Sequence, residues 1–269
     1  MRDNKISVER KKYLKKATRN KIIIFITQIL LLVTFIAAWE ICANANIIDS
    51  FITSKPSRIL DTFMNLSQNG LLEHIGVTCF ETIIGFLSGT ILGIIVAIIL
   101  WWSNFLSKVA EPFLVVLNSL PKVALGPVII IWVGAGMPAI IVMALSISLI
   151  VTILEILNGF LNTDKEKIKM AKTFGANKFQ ILTKIVIPAN ISTFINSLKV
   201  NIGLSLVGVI SGEFLVSKAG LGYLIVYGGQ VFKLDLVMAS VIILGIVAAV
   251  MYKSVVLLEK LITKTHIIN

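Results

Sequence analysis

The chain has 269 residues, 57% of them hydrophobic and 14% charged, with 25 lysines and arginines set against 14 acids for a net charge of +11. Apolar residues at this density, gathered in long blocks, exclude an ordinary soluble domain and an intrinsically disordered one. Its cations cluster in a few polar segments, so the positive balance reads as a membrane-topology signal and not as a nucleic-acid footprint.

Residues 1–21 form a basic tail carrying Arg2, Lys5, Arg10, Lys11, Lys12, Lys15, Lys16, Arg19 and Lys21. Apolar runs then occur at 22–43, 77–101, 111–133, 138–158, 191–213 and 236–258. About 20 such residues cross a hydrocarbon core as a helix. Backbone polar groups inside lipid must be satisfied within the segment, so the runs are read as helices. The expectation is an all-α membrane protein with about six transmembrane helices. Cations are dense in the tail, in residues 159–190 and near the C-terminus (Lys253, Lys260, Lys264), and sparse in 44–75 and 214–235. The positive-inside rule therefore puts both termini and the 159–190 segment in the cytoplasm. Ala43-Asn-Ala45 loosely matches a signal-peptide cleavage site, but the run before it is long and further spans follow, so an uncleaved first helix is expected.

Residues 44–75 are expected to connect the first two spans externally. Within them Ile59, Leu60, Phe63 and Leu66 recur at helical spacing and predict a short surface helix over Ser57–Leu66, a simple connector. In the second span Gly85, Gly89 and Gly93 recur every fourth residue, a small-residue stripe that lets helix backbones approach and is expected to serve internal packing. The third run holds Ser119-Leu-Pro121-Lys122-Val-Ala-Leu-Gly126-Pro127, a concentration of helix breakers around one lysine. Pro121 and Lys122 either line a passage, with Lys122 meeting an anionic cargo, or mark a lysine that snorkels or sits near an internal cavity without touching one. Gly134, Gly136 and Pro138 predict a tight external turn. Glu213 ends the fifth span and either faces the passage or, as expected here, sits at the interface. A second external turn follows at Lys218-Ala-Gly220-Leu-Gly222-Tyr223.

The polar segment between the fourth and fifth spans carries the most information. Thr163 with Glu166 fits a capping box and predicts a helix from near Asp164. Ile168, Ala171 and Phe174 or Gly175 fall on one face, and Gly175 suits the left-handed residue that ends such a helix. Asn177 with Gln180 predicts a second capping box, opening a helix with Phe179, Leu182, Ile185 and Val186 on one face. Pro188 is expected to end that helix. Short helices are marginal alone, so one should pack on the spans while the other offers Ala171 and its neighbours to a partner.

Cys42 and Cys79 are isolated, and His74 and His266 stand in separate flanks, so no metal site is expected. No G-x-x-x-x-G-K-[ST] loop occurs, and no nucleophile–base pair or carboxylate dyad stands out, so the chain is read as non-catalytic.

The run Lys169-Met170-Ala171, Gly175-Ala176, Ile185-Val-Ile-Pro188 resembles the EAA motif of binding-protein-dependent ABC-importer permeases: Glu-Ala-Ala, three residues, Gly, nine residues, Ile-x-Leu-Pro. Lys169 stands where the family has glutamate, which can pair with a basic residue of the ATPase. Pro56-Ser-Arg-Ile-Leu, the Ser119–Pro127 stretch, Ala171-Lys-Thr-Phe-Gly-Ala and Ala219-Gly-Leu-Gly-Tyr-Leu-Ile look like the nitrate/sulfonate/taurine permease group. The resemblance implies a type I ABC-importer permease: a permease core at 76–260, a coupling loop at 159–190 and a cytoplasmic end at 261–269. It further implies a bacterial inner membrane, a homodimer, an ATPase subunit that binds the ATP, and an extracytoplasmic solute-binding protein. Its cargo would be a small sulfonate, taurine or nitrate, or alternatively a thiamine-precursor pyrimidine. Two rival classes are an ion-coupled secondary transporter, which would show related halves and paired intramembrane acids, and a membrane-embedded enzyme.

Overall fold

In the computed structural model residues 8–68 and 70–266 are described, with side chains described over 13–66 and 70–260. The tail cations Arg2, Lys5, Arg10, Lys11 and Lys12, together with Lys264 and His266, lie outside the described side chains. Helix α1 (Val8–Asn44) runs without a break from the tail through the first apolar run, because neither proline nor glycine interrupts it. Its apolar stretch is exposed over residues 22–38, as a lipid-facing helix requires, and becomes buried only at its end, at Ala43. A single turn, α2 (Ser50–Thr53), is capped by Asp49, whose carboxylate accepts the Phe51 N–H at 2.8 Å.

Helix α3 (Pro56–Gln68) covers the expected surface helix and opens on proline, which loses no helical hydrogen bond there. It is more than a connector. The Glu40 carboxylate near the end of α1 accepts both the N–H and the hydroxyl of Ser57 at 3.0 Å. From its other flank, Arg58 pairs with Asp235 at 2.7 Å and Ser54 donates to Asp235 at 2.6 Å. Three distant segments thus meet at one end of the bundle.

Helix α4 (Leu71–Trp102) begins before the apolar run does, so Glu73 and His74 fall in its first turn and not in a loop. Negative charge is favourable at that position. The third run departs from expectation. It forms no single span over 111–133 but α5 (Asn104–Ser119), a 3₁₀ turn at Lys122–Leu125 and α6 (Gly126–Val133), whose axes meet at 86°. Pro121 causes the break by forcing Leu120 out of helical geometry, to φ −65° and ψ 137°.

Helices α7 (Met137–Leu161) and α11 (Ile191–Val216) complete the centre of the bundle with α4. A Cβ added to Gly85 would lie 2.5 Å from Ala144 Cβ, one on Gly89 2.1 Å from Ser148 Oγ, and one on Gly93 2.5 Å from Thr152 Cβ. The stripe therefore serves internal packing, as expected. On the far side of α7, a Cβ on Gly208 would lie 2.5 Å from the Ala144 Cα. Asn201 of α11 donates to Thr152 at 2.5 Å and to Ser197 at 3.2 Å, an interhelical hydrogen bond in the buried seam. Helix α12 (Leu221–Gln230) and α13 (Leu234–His266) close the bundle.

The seam fixes helix directions. Rising positions in α4 meet rising positions in α7, so these two helices are parallel, whereas Gly208 and Gly212 meet Ala144 and Ile140 in falling order, so α11 is antiparallel. The chain between α4 and α7 must therefore return across the bundle, and the bent α5–α6 pair makes that crossing. By the same logic the start of α1 and the end of α13 lie at the end of the bundle that holds the α7–α11 connection.

Candidate functional site

The α7–α11 connection is built by local rules that act in sequence. Thr163, buried beyond the end of α7, donates to the Gly159 carbonyl at 3.3 Å and accepts from Asn190 at 2.8 Å. It does not cap the next helix. Asp164 does, accepting the Glu166 N–H at 2.9 Å, because the Thr163 hydroxyl is already engaged by Gly159 and Asn190; the Thr163–Glu166 capping box does not form. Helix α8 (Lys165–Thr173) ends as expected at Gly175, with φ +80°. The Gly175 N–H bonds to the Lys172 carbonyl and the Ala176 N–H to the Ala171 carbonyl, both at 3.0 Å, the paired closure of a Schellman turn.

Two residues on, Asn177 caps α9 (Lys178–Ile181). Its side chain accepts the Gln180 N–H at 2.8 Å while Gln180 accepts the Asn177 N–H at 2.9 Å, the reciprocal box expected. Pro188 does not stop this helix. The chain widens into a π turn at Leu182–Val186 and continues as α10 (Ile187–Ala189) as far as Asn190. A proline ring clashes with the carbonyl four residues back, and the wider turn moves that carbonyl aside.

Ile181, Leu182 and Val186 are buried against Ile156, Leu157 and Phe160 of α7 and Ala97 of α4, so α9 and the π turn are fixed to the spans. Ala171 and Ala176 are half-buried against the same cluster. The exposed apolar surface belongs to Met170 (58%), Phe174 (83%) and Phe179 (62%). The expectation that Ala171 itself is the offered residue therefore shifts to its larger neighbours. A concavity of about 430 Å³ lies between α8 and the π turn, lined by Met170, Ala171, Gly175, Ala176 and Ile185 among others. Those five sequence-identified residues converge. Lys169 does not join them: it lines a separate cavity on the opposite face of α8. Pro188 is exposed beyond both cavities.

Pro121, Lys122 and Glu213 do not form one site. Lys122 turns back on its own chain and donates to the Asn118 carbonyl at 3.1 Å, serving as a side-chain cap for the broken end of α5. Glu213 is 1% exposed and not interfacial. Its carboxylate accepts the Thr78 hydroxyl at 2.6 Å and the Gly222 N–H at 2.5 Å, while Thr78 accepts the Leu221 N–H at 2.8 Å. Glu81 beside it is equally buried, and its Oε2 has no hydrogen-bond partner among the described residues. Glu213 and Thr78 together thus form a clasp for the 217–222 turn. Gly220 and Gly222 are small because a Cβ on either would lie within 2.8 Å of the Glu213 side chain. Sequence reasoning missed His74, which accepts the Gly220 N–H at 3.0 Å and stacks on Tyr223. No local pattern announces a partner 146 positions away.

Residues 89–265 match the family model described as binding-protein-dependent transport system inner membrane component. A probable ABC transporter permease protein of Haemophilus influenzae is 29% identical over 81% of this chain and 88% of its own length. The putative aliphatic sulfonates transport permease protein SsuC of Bacillus subtilis is 24% identical over 88% of this chain and 86% of its own. Among solved structures, a bacterial ABC transporter involved in import of the acidic polysaccharide alginate aligns with a TM-score of 0.64 at 15% identity. That alignment covers 94% of this chain and 99% of the matched one, which establishes a shared fold.

Proposed function

We propose that this chain, which belongs to the family of binding-protein-dependent transport system inner membrane components, forms the path for a small sulfonate-, taurine- or nitrate-type solute in an ATP-driven importer. As an ABC-importer permease it is a non-catalytic subunit of the inner membrane that works with a separate ATPase and a substrate-binding protein. Membership sets aside the ion-coupled carrier and the membrane-embedded enzyme. Buried Glu213, which a carrier reading would value, instead holds the 217–222 turn.

The observation that carries the proposal is the convergence of Met170, Ala171, Gly175, Ala176 and Ile185 around one concavity beside exposed Met170 and Phe174. A Schellman turn followed at once by a capping box gives a joint with few soft torsions, suited to receive a protruding segment of the ATPase and pass its motion to the spans. In this reading the loop and both termini face the cytoplasm, as the lysines at 165–184 require. Two copies of the chain enclose the path, and α5, α6 and the break at Pro121–Lys122 line it. Closure of the ATPase pair moves rigid helices between two packed arrangements.

The substitution Gly175→Asp tests the docking role. Aspartate tolerates the left-handed backbone better than most residues, and a Cβ here meets nothing within 4 Å in the chain itself. The backbone strain at φ +80° is therefore modest, while a carboxylate enters the docking surface, where a charge buried without compensation costs about 3–5 kcal/mol. ATP-coupled uptake should fall more than about tenfold with membrane insertion unchanged. Wild-type uptake in this variant would refute the docking assignment. The cargo class is tested separately, by thermal shift of the cognate binding protein. Stabilisation by aliphatic sulfonates, taurine or nitrate supports the proposal, and stabilisation by a neutral pyrimidine alone overturns that part of it.

A further inference from the structure

The larger cavity of this region, about 750 Å³, lies on the face of α8 turned away from the proposed ATPase seat. Five lysines line it: Lys108 of α5, Lys165, Lys169 and Lys172 of α8, and Lys178 of α9. Residues 165, 168, 169 and 172 share one helical face, so the gathering follows from α8 periodicity once the Schellman turn has folded α9 back. No carboxylate lines the cavity. Among the described residues the ion pairs are Arg58–Asp235 and Lys199–Glu259, so none of these five ammonium groups is neutralised by a neighbour.

Lys178 is held in place. It donates to the Trp102 carbonyl and stands 5.9 Å and 5.7 Å from the ring centres of Trp101 and Trp102. Trp101 and Phe160 supply an apolar wall beside the lysines. The tryptophans also close the apolar run of α4, where aromatic side chains mark the boundary between hydrocarbon and water. Like charges concentrated at that depth repel one another unless an anion joins them.

We propose that this cavity binds the phosphate of an anionic phospholipid head group, with its lysines on the phosphate and its Trp101–Phe160 wall on the adjoining glycerol and upper acyl carbons. A free phosphate would satisfy the lysines alone. The apolar wall and the position at the membrane boundary favour the lipid. Lys169, at the family's acidic position, then has a partner of its own in the bilayer, and the site is independent of which solute is carried.

The full-length chain in lipid nanodiscs tests this, with Trp39→Phe and Trp132→Phe leaving Trp101 and Trp102 as the fluorophores. Brominated phosphatidylglycerol should quench their emission at a mole fraction about tenfold below that needed with brominated phosphatidylcholine, since each interfacial lysine contributes about fivefold. The combined Lys108→Gln, Lys169→Gln and Lys172→Gln variant should lose that preference. A charge-matched control, Lys15→Gln with Lys167→Gln and Lys253→Gln, should keep it. Millimolar inorganic phosphate should leave the quenching unchanged; if phosphate abolishes it, a soluble anion is the occupant and the lipid assignment falls. Equal quenching by the two lipids in the parent protein, or equal loss of preference in both variants, overturns the site altogether.

Discussion

Single residues decide how closely this bundle closes. Gly208 has the α7 backbone where its own Cβ would be, with Ala144 Cα at 2.5 Å, whereas Gly203, one turn away on the same helix, has nothing within 4 Å. Gly208→Ala must separate α7 from α11, because a backbone atom cannot rotate out of the way, and overpacking of this kind costs about 1–3 kcal/mol. Gly203→Ala should cost nothing and, through helix propensity, should stabilise slightly. Thermal unfolding of the two purified variants in detergent checks the contrast, and equal midpoints would contradict the close approach. Gly85, Gly89 and Gly93 were legible in the sequence because their spacing is regular. Glu213 and His74 were not, because what they hold is a turn brought to them by three helices. A carboxylate near the end of an apolar run looks interfacial until the fold covers it.

At the scale of elements, the α7–α11 connection shows local rules and their override side by side. The Asn177–Gln180 box and the Gly175 stop could be read from spacing, since both partners lie within four positions. The cap at Asp164 instead of Thr163, and the passage of the helix through Pro188, could not. Thr163 is drawn into the bundle by Asn190, and the π turn needs the burial of Leu182 and Val186 to hold it. Asn177→Ala should cost α9 about 1 kcal/mol, and Asn177→Ser should restore most of it. Hydrogen exchange of amides 178–182 reports this directly: faster in the alanine variant, close to wild type in the serine variant. No change in the alanine variant would mean that packing alone sets α9. The third run also exposes a limit of apolar counting. Hydropathy registers residues 111–133 as one span, while Pro121 fixes Leu120 as extended and turns the chain by 86°.

The whole molecule follows from directions as much as from lengths. Because α4 and α7 run parallel, the bent α5–α6 pair must cross the membrane, and six crossings bring the described chain ends to the same end of the bundle as the lysine-rich loop. Charge distribution reached the same arrangement independently, from Lys165, Lys167, Lys169, Lys172, Lys178 and Lys184. Single cysteines at Asn104 and Ala135, which flank α5–α6, in a background with Cys42 and Cys79 replaced, should label from opposite faces of sealed vesicles with a membrane-impermeant maleimide. Labelling of both from one face would show that α5–α6 is re-entrant. The loop, six crossings and glycine packing were readable because each depends on local composition or period. The break angle, the clasp at Glu213 and the α1–α3–α13 junction arise only when distant segments share space.

The notched contact of α4 on α7 has a mechanical consequence. Ala144, Ser148 and Thr152 each sit in a gap left by one missing side chain, so a slip of either helix by a fraction of a turn would drive bulky neighbours into those gaps, and only a full four-residue step would bring gap back to gap. The two helices are notched like a ratchet and its pawl: they can tilt together, but they cannot slide continuously past one another. Gradual motion in a transport cycle therefore falls outside this notched pair, and the proline-broken α5–α6 elbow is the segment between them where the helical hydrogen bonding is already interrupted.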